Sequence, residues 1–119
     1  MKKTDGGWPK ASKEMSDLLA AHVSSLALDK RVMFGAPVYF VNGNMLAGVF
    51  ADKVFVRLSS EDRERLSRDH GAATFEPVKG RRMAEYMVLP DEVVSDGAAF
   101  ELWLHRSYDY GTKLPAKKR

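Results

Sequence analysis

The sequence predicts an α+β domain with the element order α-β3-α-β2-α, in which a five-stranded, mainly antiparallel sheet packs against helices. Two observations carry this prediction. Two hydrophobic runs flank the dipeptide Asn42-Gly43 and a third follows Asp52-Lys53, which is the pattern of a three-stranded meander. Segments on either side of the meander place apolar residues at helical spacing behind capping residues.

The two turns of the meander predict a strand register. Asn42-Gly43 as a two-residue loop places Phe40 opposite Met45 and Val38 opposite Ala47. Asp52-Lys53 as a second loop places Val49 opposite Val56. Directly opposed residues share a face of the sheet, so this register gives one wholly apolar face that suits packing against helices. That face holds Val38, Phe40, Met45, Ala47, Val49, Ala51, Val54, Val56 and Leu58.

The opposite face of the predicted meander is aromatic, with one glycine and one charge, whereas a solvated face is typically rich in Thr, Lys and Glu. This face is therefore either covered by another part of the chain or offered to a partner. We expect Gly48 to leave a shallow opening there for a partner side chain. The candidate partner-binding residues are Tyr39, Leu46, Gly48, Phe50, Phe55 and Arg57, with Val41 on the same face.

The elements outside the meander follow from caps and breakers. Ser12 caps a first helix that runs to about residue 27, and Pro37 marks the start of the first strand. Ser59 or Ser60 caps a second helix over residues 61–69, which Gly71 ends. Residues 73–76 and 83–89 are predicted strands, joined by a loop over residues 77–82.

The last helical region begins after Pro90 and breaks at Gly97, where Asp96 supplies a new cap. Its second part places apolar and aromatic residues on one stripe, which is typical of core packing rather than of a binding site. The stripe consists of Phe100, Trp103, Leu104 and Tyr108.

Composition and charge define a single domain with basic ends. Residues 1–11 are predicted to be a disordered segment, residues 12–110 the domain and residues 111–119 a basic tail. The net charge is +3, yet residues 14–112 hold 11 basic and 15 acidic residues, so the basic excess lies in the ends. No cysteine, signal-peptide pattern or membrane-length apolar run is present in the sequence, so we expect a cytoplasmic protein with no membrane partner.

The residues do not match a known catalytic pattern. Phosphate-binding glycine motifs and a nucleophile elbow are absent, and His22, His70 and His105 are too far apart in sequence for a metal motif. We expect a non-enzymatic protein without a metal or cofactor. The loop residues Lys79, Arg81 and Arg82 surround Gly80 and are a candidate anion-binding site, although a simple solvated loop explains them too.

Several segments resemble the amino-terminal domain of the TfoX/Sxy family of bacterial competence regulators. They are residues 31–35, residues 39–45, Ala51-Asp52 with the strand over residues 54–58, Glu85-Tyr86 leading to Leu89-Pro90, and Trp103. The resemblance covers about residues 30–110 and implies the same α-β3-α-β2-α fold. It also implies a role in co-regulating transcription, linked to the cyclic-AMP receptor protein. Full-length members carry a second, carboxy-terminal domain, so we expect a stand-alone first domain.

Three functions from different classes remain open at this point. The first is a small non-catalytic interaction protein that regulates transcription, through a protein partner or self-association. The second is weak or indirect nucleic-acid binding through the basic ends. The third is small-anion binding at Lys79, Arg81 and Arg82.

Overall fold

The computed structural model describes residues 9–33 and 35–116, which form four helices and six strands. The helices are α1 (Lys13–Val23), α2 (Ser60–His70), α3 (Asp91–Val94) and α4 (Gly97–Thr112). The strands are β1 (Asp29–Met33), β2 (Ala36–Val41), β3 (Asn44–Phe50), β4 (Lys53–Arg57), β5 (Thr74–Val78) and β6 (Arg81–Val88). They form one sheet in the order β1-β2-β3-β4-β6-β5, and every neighbouring pair is antiparallel. The α+β class is therefore confirmed.

The predicted number of strands is wrong, because β1 adds a sixth strand at one edge of the sheet. Its residues pair with β2 from Asp29 opposite Phe40 to Met33 opposite Ala36. An edge strand needs a hydrogen-bonded neighbour on one side only, and β1 carries charged residues in place of a continuous apolar run. Helix α1 ends at Val23, earlier than predicted, which frees the chain to reach this edge.

The predicted helix caps are confirmed. The Oγ atoms of Ser12 and Ser59 accept hydrogen bonds from the backbone N–H groups of Met15 and Asp62. Gly71 ends α2 in the left-handed conformation at φ 70°. The Asp96 carboxylate accepts from the first amides of α4. Local side-chain chemistry thus fixes where α1, α2 and α4 begin.

The first hairpin follows the prediction only near its turn. Asn42 and Gly43 both have positive φ, and Phe40 lies opposite Met45. The register then shifts, so that Tyr39 pairs with Ala47 and leaves Leu46 as the extra residue of a bulge. The predicted pairing of Val38 with Ala47 is wrong, because this bulge shifts the pairing by one residue.

The second hairpin turns one position earlier than predicted. Phe50 lies opposite Lys53, so that Ala51 and Asp52 form the turn, and Ala51 has φ 57°. Val49 consequently pairs with Val54 rather than with Val56. Moving a turn by one position shifts the pairing by two residues, which preserves the face of every side chain. The predicted placement of Val49 and its neighbours in β3 and β4 against the helices therefore holds.

The bulge redistributes the side chains of β2 and early β3 between the two faces. The helix-side face holds Tyr39, Val41, Leu46, Ala47, Val49, Val54, Val56 and Leu58. The outer face holds Val38, Phe40, Met45, Gly48, Phe50, Phe55 and Arg57. For six of these residues the predicted face is wrong. The sequence predicted Tyr39, Val41 and Leu46 on the outer face. It predicted Val38, Phe40 and Met45 on the helix-side face.

Helices α1 and α4 cover the helix-side face. Leu19 of α1 and Phe100, Trp103 and Leu104 of α4 are buried with the strand residues in one core cluster. Helix α4 approaches β2 and β3 closely at Gly111, where an added Cβ would clash with the side chains of Leu46 and Val41. The described helices include none that is long and apolar enough to span a bilayer.

Candidate functional site

The centre of the outer face is covered by an aromatic side chain of the β5–β6 hairpin. Phe75 of β5 stacks on Phe55 of β4, with the ring centroids 4.3 Å apart and the planes 9° from parallel. Both rings are buried in a second cluster whose fully buried members all lie on strands. Phe55 is 0% exposed, so a partner cannot reach its side chain without moving the hairpin.

The opening predicted above Gly48 is filled by the chain itself. A Cβ at Gly48 would lie 2.7 Å from Phe55 Cζ and 3.1 Å from the Pro37 carbonyl oxygen. The absence of a side chain therefore makes room for the neighbouring ring rather than for a partner. Tyr39 and Leu46, two further candidate residues, are buried beneath the helices.

The described residues line two shallow cavities on the outer face. The first has a volume of about 280 Å³, and Lys53 at its rim donates a hydrogen bond to Asp91 Oδ1 over 3.1 Å. Its floor is aromatic, with Phe50 edge-on to Phe75 at 5.2 Å between centroids. The cavity is lined by Phe50, Lys53, Phe55, Thr74, Phe75, Glu76 and Val88.

The second cavity, which we call the Met groove, has a volume of about 340 Å³. It is lined by Met33, Phe40, Gly43, Asn44, Met45, Arg57, Met83 and Tyr86. Phe40 and Tyr86 are almost fully buried, whereas the three methionines are half-buried. Arg57 is the candidate partner-binding residue that the structure places in this groove.

Arg57 and Tyr86 are held in a defined arrangement within the Met groove. Arg57 Nε donates to Glu85 Oε1 over 2.7 Å, and the guanidinium lies 5.4 Å from the centroid of the Tyr86 ring. The Tyr86 hydroxyl donates to the Met45 carbonyl oxygen over 2.8 Å. Burial raises the pKa of Tyr86 above its usual value, so its hydroxyl remains a donor at neutral pH.

A second cation borders the Met groove at its β1 side. The Arg31 guanidinium lies over the Phe40 ring, 4.2 Å from its centroid. This contact is a cation–π interaction. Methionines and aromatic rings thus line much of the groove, and an arginine lies over each of two of these rings.

The carboxy-terminal segment is anchored beside the same groove. Asn44 Nδ2 donates to the Pro115 carbonyl oxygen over 3.0 Å, and α4 continues to Thr112, into the predicted tail. Residues 117–119 of that tail lie outside the described residues. So do residues 1–8 of the predicted disordered segment, whereas Ala11 packs against both core clusters.

The candidate anion-binding loop is a tight turn between β5 and β6. Val78 lies opposite Arg81, and Gly80 has φ 83°. The Gly80 N–H donates to Glu76 Oε2 over 2.6 Å, so a carboxylate of the chain itself already occupies this amide. The three cationic side chains of the loop, Lys79, Arg81 and Arg82, are exposed. An anion bound there would contact only solvated charges, whose interactions are weak.

Each histidine has a glutamate partner. His22 Nδ1 lies 2.7 Å from Glu101 Oε2, and His105 Nε2 lies 3.3 Å from the other oxygen of the same carboxylate. His70 Nδ1 lies 2.6 Å from Glu92 Oε2. Within residues 9–33 and 35–116, the His, Asp and Glu side chains form no group of three or more with the geometry for a metal ion.

Sequence reasoning missed most of the Met groove. It assigned Met45 to the helix side and did not single out Met33 or Met83. The signal available in the sequence was the run of charged residues before Met33, which is typical of a strand at the edge of a sheet. No residue pattern in the sequence predicts the β-bulge that places the Met45 side chain on the outer face.

Comparison with known proteins gives a family match. The model of the family described as the TfoX N-terminal domain matches residues 19–110. No curated protein and no solved structure matches the chain.

Proposed function

Because the chain belongs to the TfoX N-terminal domain family, we propose that it is a small non-catalytic regulatory protein that binds another protein through the Met groove. The regulated process that the family suggests is transcription, as in competence, and its site of action is the cytoplasm. The observation that carries the proposal is the Met groove itself, a depression lined by methionines, aromatic rings and an arginine on the helix-free face of the sheet.

The composition of the groove supports protein binding. Methionine, aromatic residues and arginine are enriched in the centres of protein interfaces, and lysine and carboxylates are depleted there. Methionine side chains are unbranched and polarisable, so they adapt to the shape of an incoming apolar group. The groove is lined by three methionines together with Arg57: Met33, Met45 and Met83.

A binding role is favoured over catalysis by the chemistry of the groove. Tyr86 is held protonated by burial and donates to a backbone carbonyl, and Arg57 is always charged. Neither group is arranged as a nucleophile beside a base, which covalent catalysis needs.

The proposal is tested by cross-linking capture with two matched variants. Met83→Asp places a carboxylate in the groove, and Val78→Asp places one on an exposed position of the same hairpin, where Val78 is 46% exposed. We expect a captured protein to persist with Val78→Asp and to disappear with Met83→Asp, while circular dichroism shows both variants folded.

Two results would overturn the proposal. Capture patterns that are the same for both variants would place the contact outside the Met groove. A dimer of the wild-type protein in light scattering that Met83→Asp converts to monomer would assign the groove to a second copy instead.

A further inference from the structure

We propose that the indole ring of Trp8 packs into the first cavity of the outer face, which has Phe50 and Phe75 on its floor and which we call the aromatic cavity. The occupant of this cavity is then the amino-terminal segment of the chain itself. This inference goes beyond the function proposed above and does not depend on the Met groove. The chemistry of the cavity and the path of the chain over residues 9–12 both support it.

The aromatic cavity is suited to a flat apolar group. Phe75 stacks on Phe55 with 4.3 Å between ring centroids and meets Phe50 edge-on at 5.2 Å. Aromatic rings attract each other in such stacked and edge-to-face arrangements, beyond the gain from burial alone. The volume of about 280 Å³ is at or below the lower end of the range for pockets that hold small-molecule ligands, about 300–1,000 Å³. A single side chain therefore matches this cavity in both size and chemistry.

The two charged residues of the cavity lining already have partners among the described residues. Lys53 Nζ donates to Asp91 Oδ1 over 3.1 Å, and Glu76 Oε2 accepts from the Gly80 N–H over 2.6 Å. A neutral occupant leaves both contacts in place. The Thr74 hydroxyl and the carboxylate of Glu76 are also acceptors, which a buried indole N–H needs. The lining thus favours a neutral ring with one N–H donor over a charged ligand.

The described part of the amino-terminal segment leads to the wall of the aromatic cavity. The Ser12 N–H donates to the Ala51 carbonyl oxygen over 2.8 Å, and Ala51 directly follows Phe50 in the chain. Ala11 packs against the outer-face cluster that includes Phe75. The chain therefore passes beside the aromatic rings of the cavity just before α1 begins.

Trp8 can reach the cavity from this point. It precedes Ala11 by three residues, and an extended chain covers about 3.3–3.6 Å per residue, so the two Cα atoms can be up to about 10 Å apart. Pro9 favours an extended conformation for the residue before it, which gives the segment its longest reach. Trp8 is the one aromatic residue in the sequence of residues 1–8. A buried aromatic side chain removes about 150–250 Å² from water, which stabilises its contact with the sheet.

The proposal is tested by NMR of the indole N–H groups in the full chain. The chain has two tryptophans, Trp8 and Trp103, and Trp8→Phe identifies the signal of the first. We expect nuclear Overhauser contacts from the Trp8 indole to the ring protons of Phe50 and Phe75. We also expect its signal to be displaced from the position that it has in a synthetic peptide of residues 1–12.

Matched variants connect the signal to the cavity. Phe50→Ala removes part of the cavity wall at a half-buried position and should move the Trp8 signal towards its position in the peptide. Val32→Ala shortens an apolar side chain that is 68% exposed on β1 and should leave the signal unchanged. Circular dichroism shows whether both variants are folded.

A stability measurement tests the same contact without changing the cavity. Trp8→Ala should lower the urea midpoint, because the aromatic rings of the cavity lose the packing of the indole. Lys10→Ala changes an exposed residue of the same segment and should leave the midpoint unchanged.

Two results would overturn the proposal. The first is a Trp8 signal at the peptide position in the wild-type chain, together with a urea midpoint that Trp8→Ala does not change. The second is contacts between Trp8 and Phe75 that appear only between differently labelled chains in a mixed sample, since a second copy would then supply the ring. Neither result decides the function proposed above, whose test is the response of capture to Met83→Asp.

Discussion

At the scale of single residues, Gly48 shows how one missing side chain shapes the outer face. A Cβ at Gly48 would meet the edge of the Phe55 ring, and Phe75 stacks on that same ring. The same added Cβ would lie 3.1 Å from the backbone carbonyl oxygen of Pro37. A Cβ at Gly48 would therefore force the Phe55 ring or the backbone to move.

We expect Gly48→Ala to lower the free energy of unfolding by about 1–3 kcal/mol, the usual cost of overpacking a core. The added methyl group would meet Phe55 Cζ at 2.7 Å. Urea denaturation measures the change. Gly97→Ala is the matched control, because nothing lies within 4 Å of its added Cβ and alanine favours a helix. If Gly48→Ala is as stable as Gly97→Ala, the Phe55–Phe75 stack is looser than the structure indicates.

At the scale of elements, Glu101 joins α1 to α4. Its two carboxylate oxygens contact His22 of α1 and His105 one turn further along α4. The His22 ring also packs against Phe100, with 4.6 Å between centroids. The hydrogen bond with His22 lowers the pKa of Glu101 below its usual value of 4.5. The folded protein therefore favours the ionised carboxylate more than the unfolded chain does.

This shift gives a pH dependence with a defined sign. A carboxyl group whose pKa is lowered by folding stabilises the fold above its unfolded pKa, and the contribution disappears as the pH falls through the lower, folded pKa. We expect Glu101→Gln to reduce the loss of stability between about pH 5 and pH 3. Urea midpoints across that range measure it.

Glu64→Gln is the control for this prediction, because Glu64 is exposed on α2 and far from the histidines of α1 and α4 in sequence. It should lose stability on acidification as the wild type does. A wild-type acid profile for Glu101→Gln would mean that the contact between α1 and α4 contributes nothing to stability.

The elements that the sequence predicted well are those with local causes. Ser12, Ser59, Gly71 and Asp96 act on neighbouring amides, so their positions alone locate helix ends. The β3–β4 face was right although its turn was misplaced, because an error of two residues preserves the alternation. The β2–β3 faces were wrong because Leu46 bulges under α4, a contact that no local pattern encodes.

The candidate site was predictable in part for the same reason. Arg57 was identified, since a charge on an otherwise apolar strand stands out in the sequence. Met33 and Met83 come from strands far apart in the chain and meet at the groove only through the sheet order. The burial of Phe55 likewise depends on Phe75, which comes from a strand two places away in the sheet.

At the scale of the whole molecule, the charge is divided between a mildly acidic body and basic ends. Residues 113–119 contain Lys113, Lys117, Lys118 and Arg119, and the chain leaves the described domain beside Asn44. A dedicated nucleic-acid-binding domain typically carries a basic stripe on the fold itself. The arrangement here favours a contribution of the tail to encounter rather than to sequence recognition.

We expect the protein to bind duplex DNA weakly and without sequence preference, mainly through this tail. A truncation after Ala116 removes Lys117, Lys118 and Arg119 but keeps the Pro115 carbonyl that Asn44 holds, so the fold stays intact. Every DNA phosphate that a side chain neutralises adds about 0.9 to the slope of log K against log salt, so removing three cations should lower the slope by at most about 2.7.

Arg81→Ser is the control, because it removes a cation from the exposed β5–β6 turn and should leave that slope unchanged. Fluorescence anisotropy with a labelled duplex at several salt concentrations gives both values. Sequence-selective binding that survives the truncation would instead locate a nucleic-acid site on the folded domain.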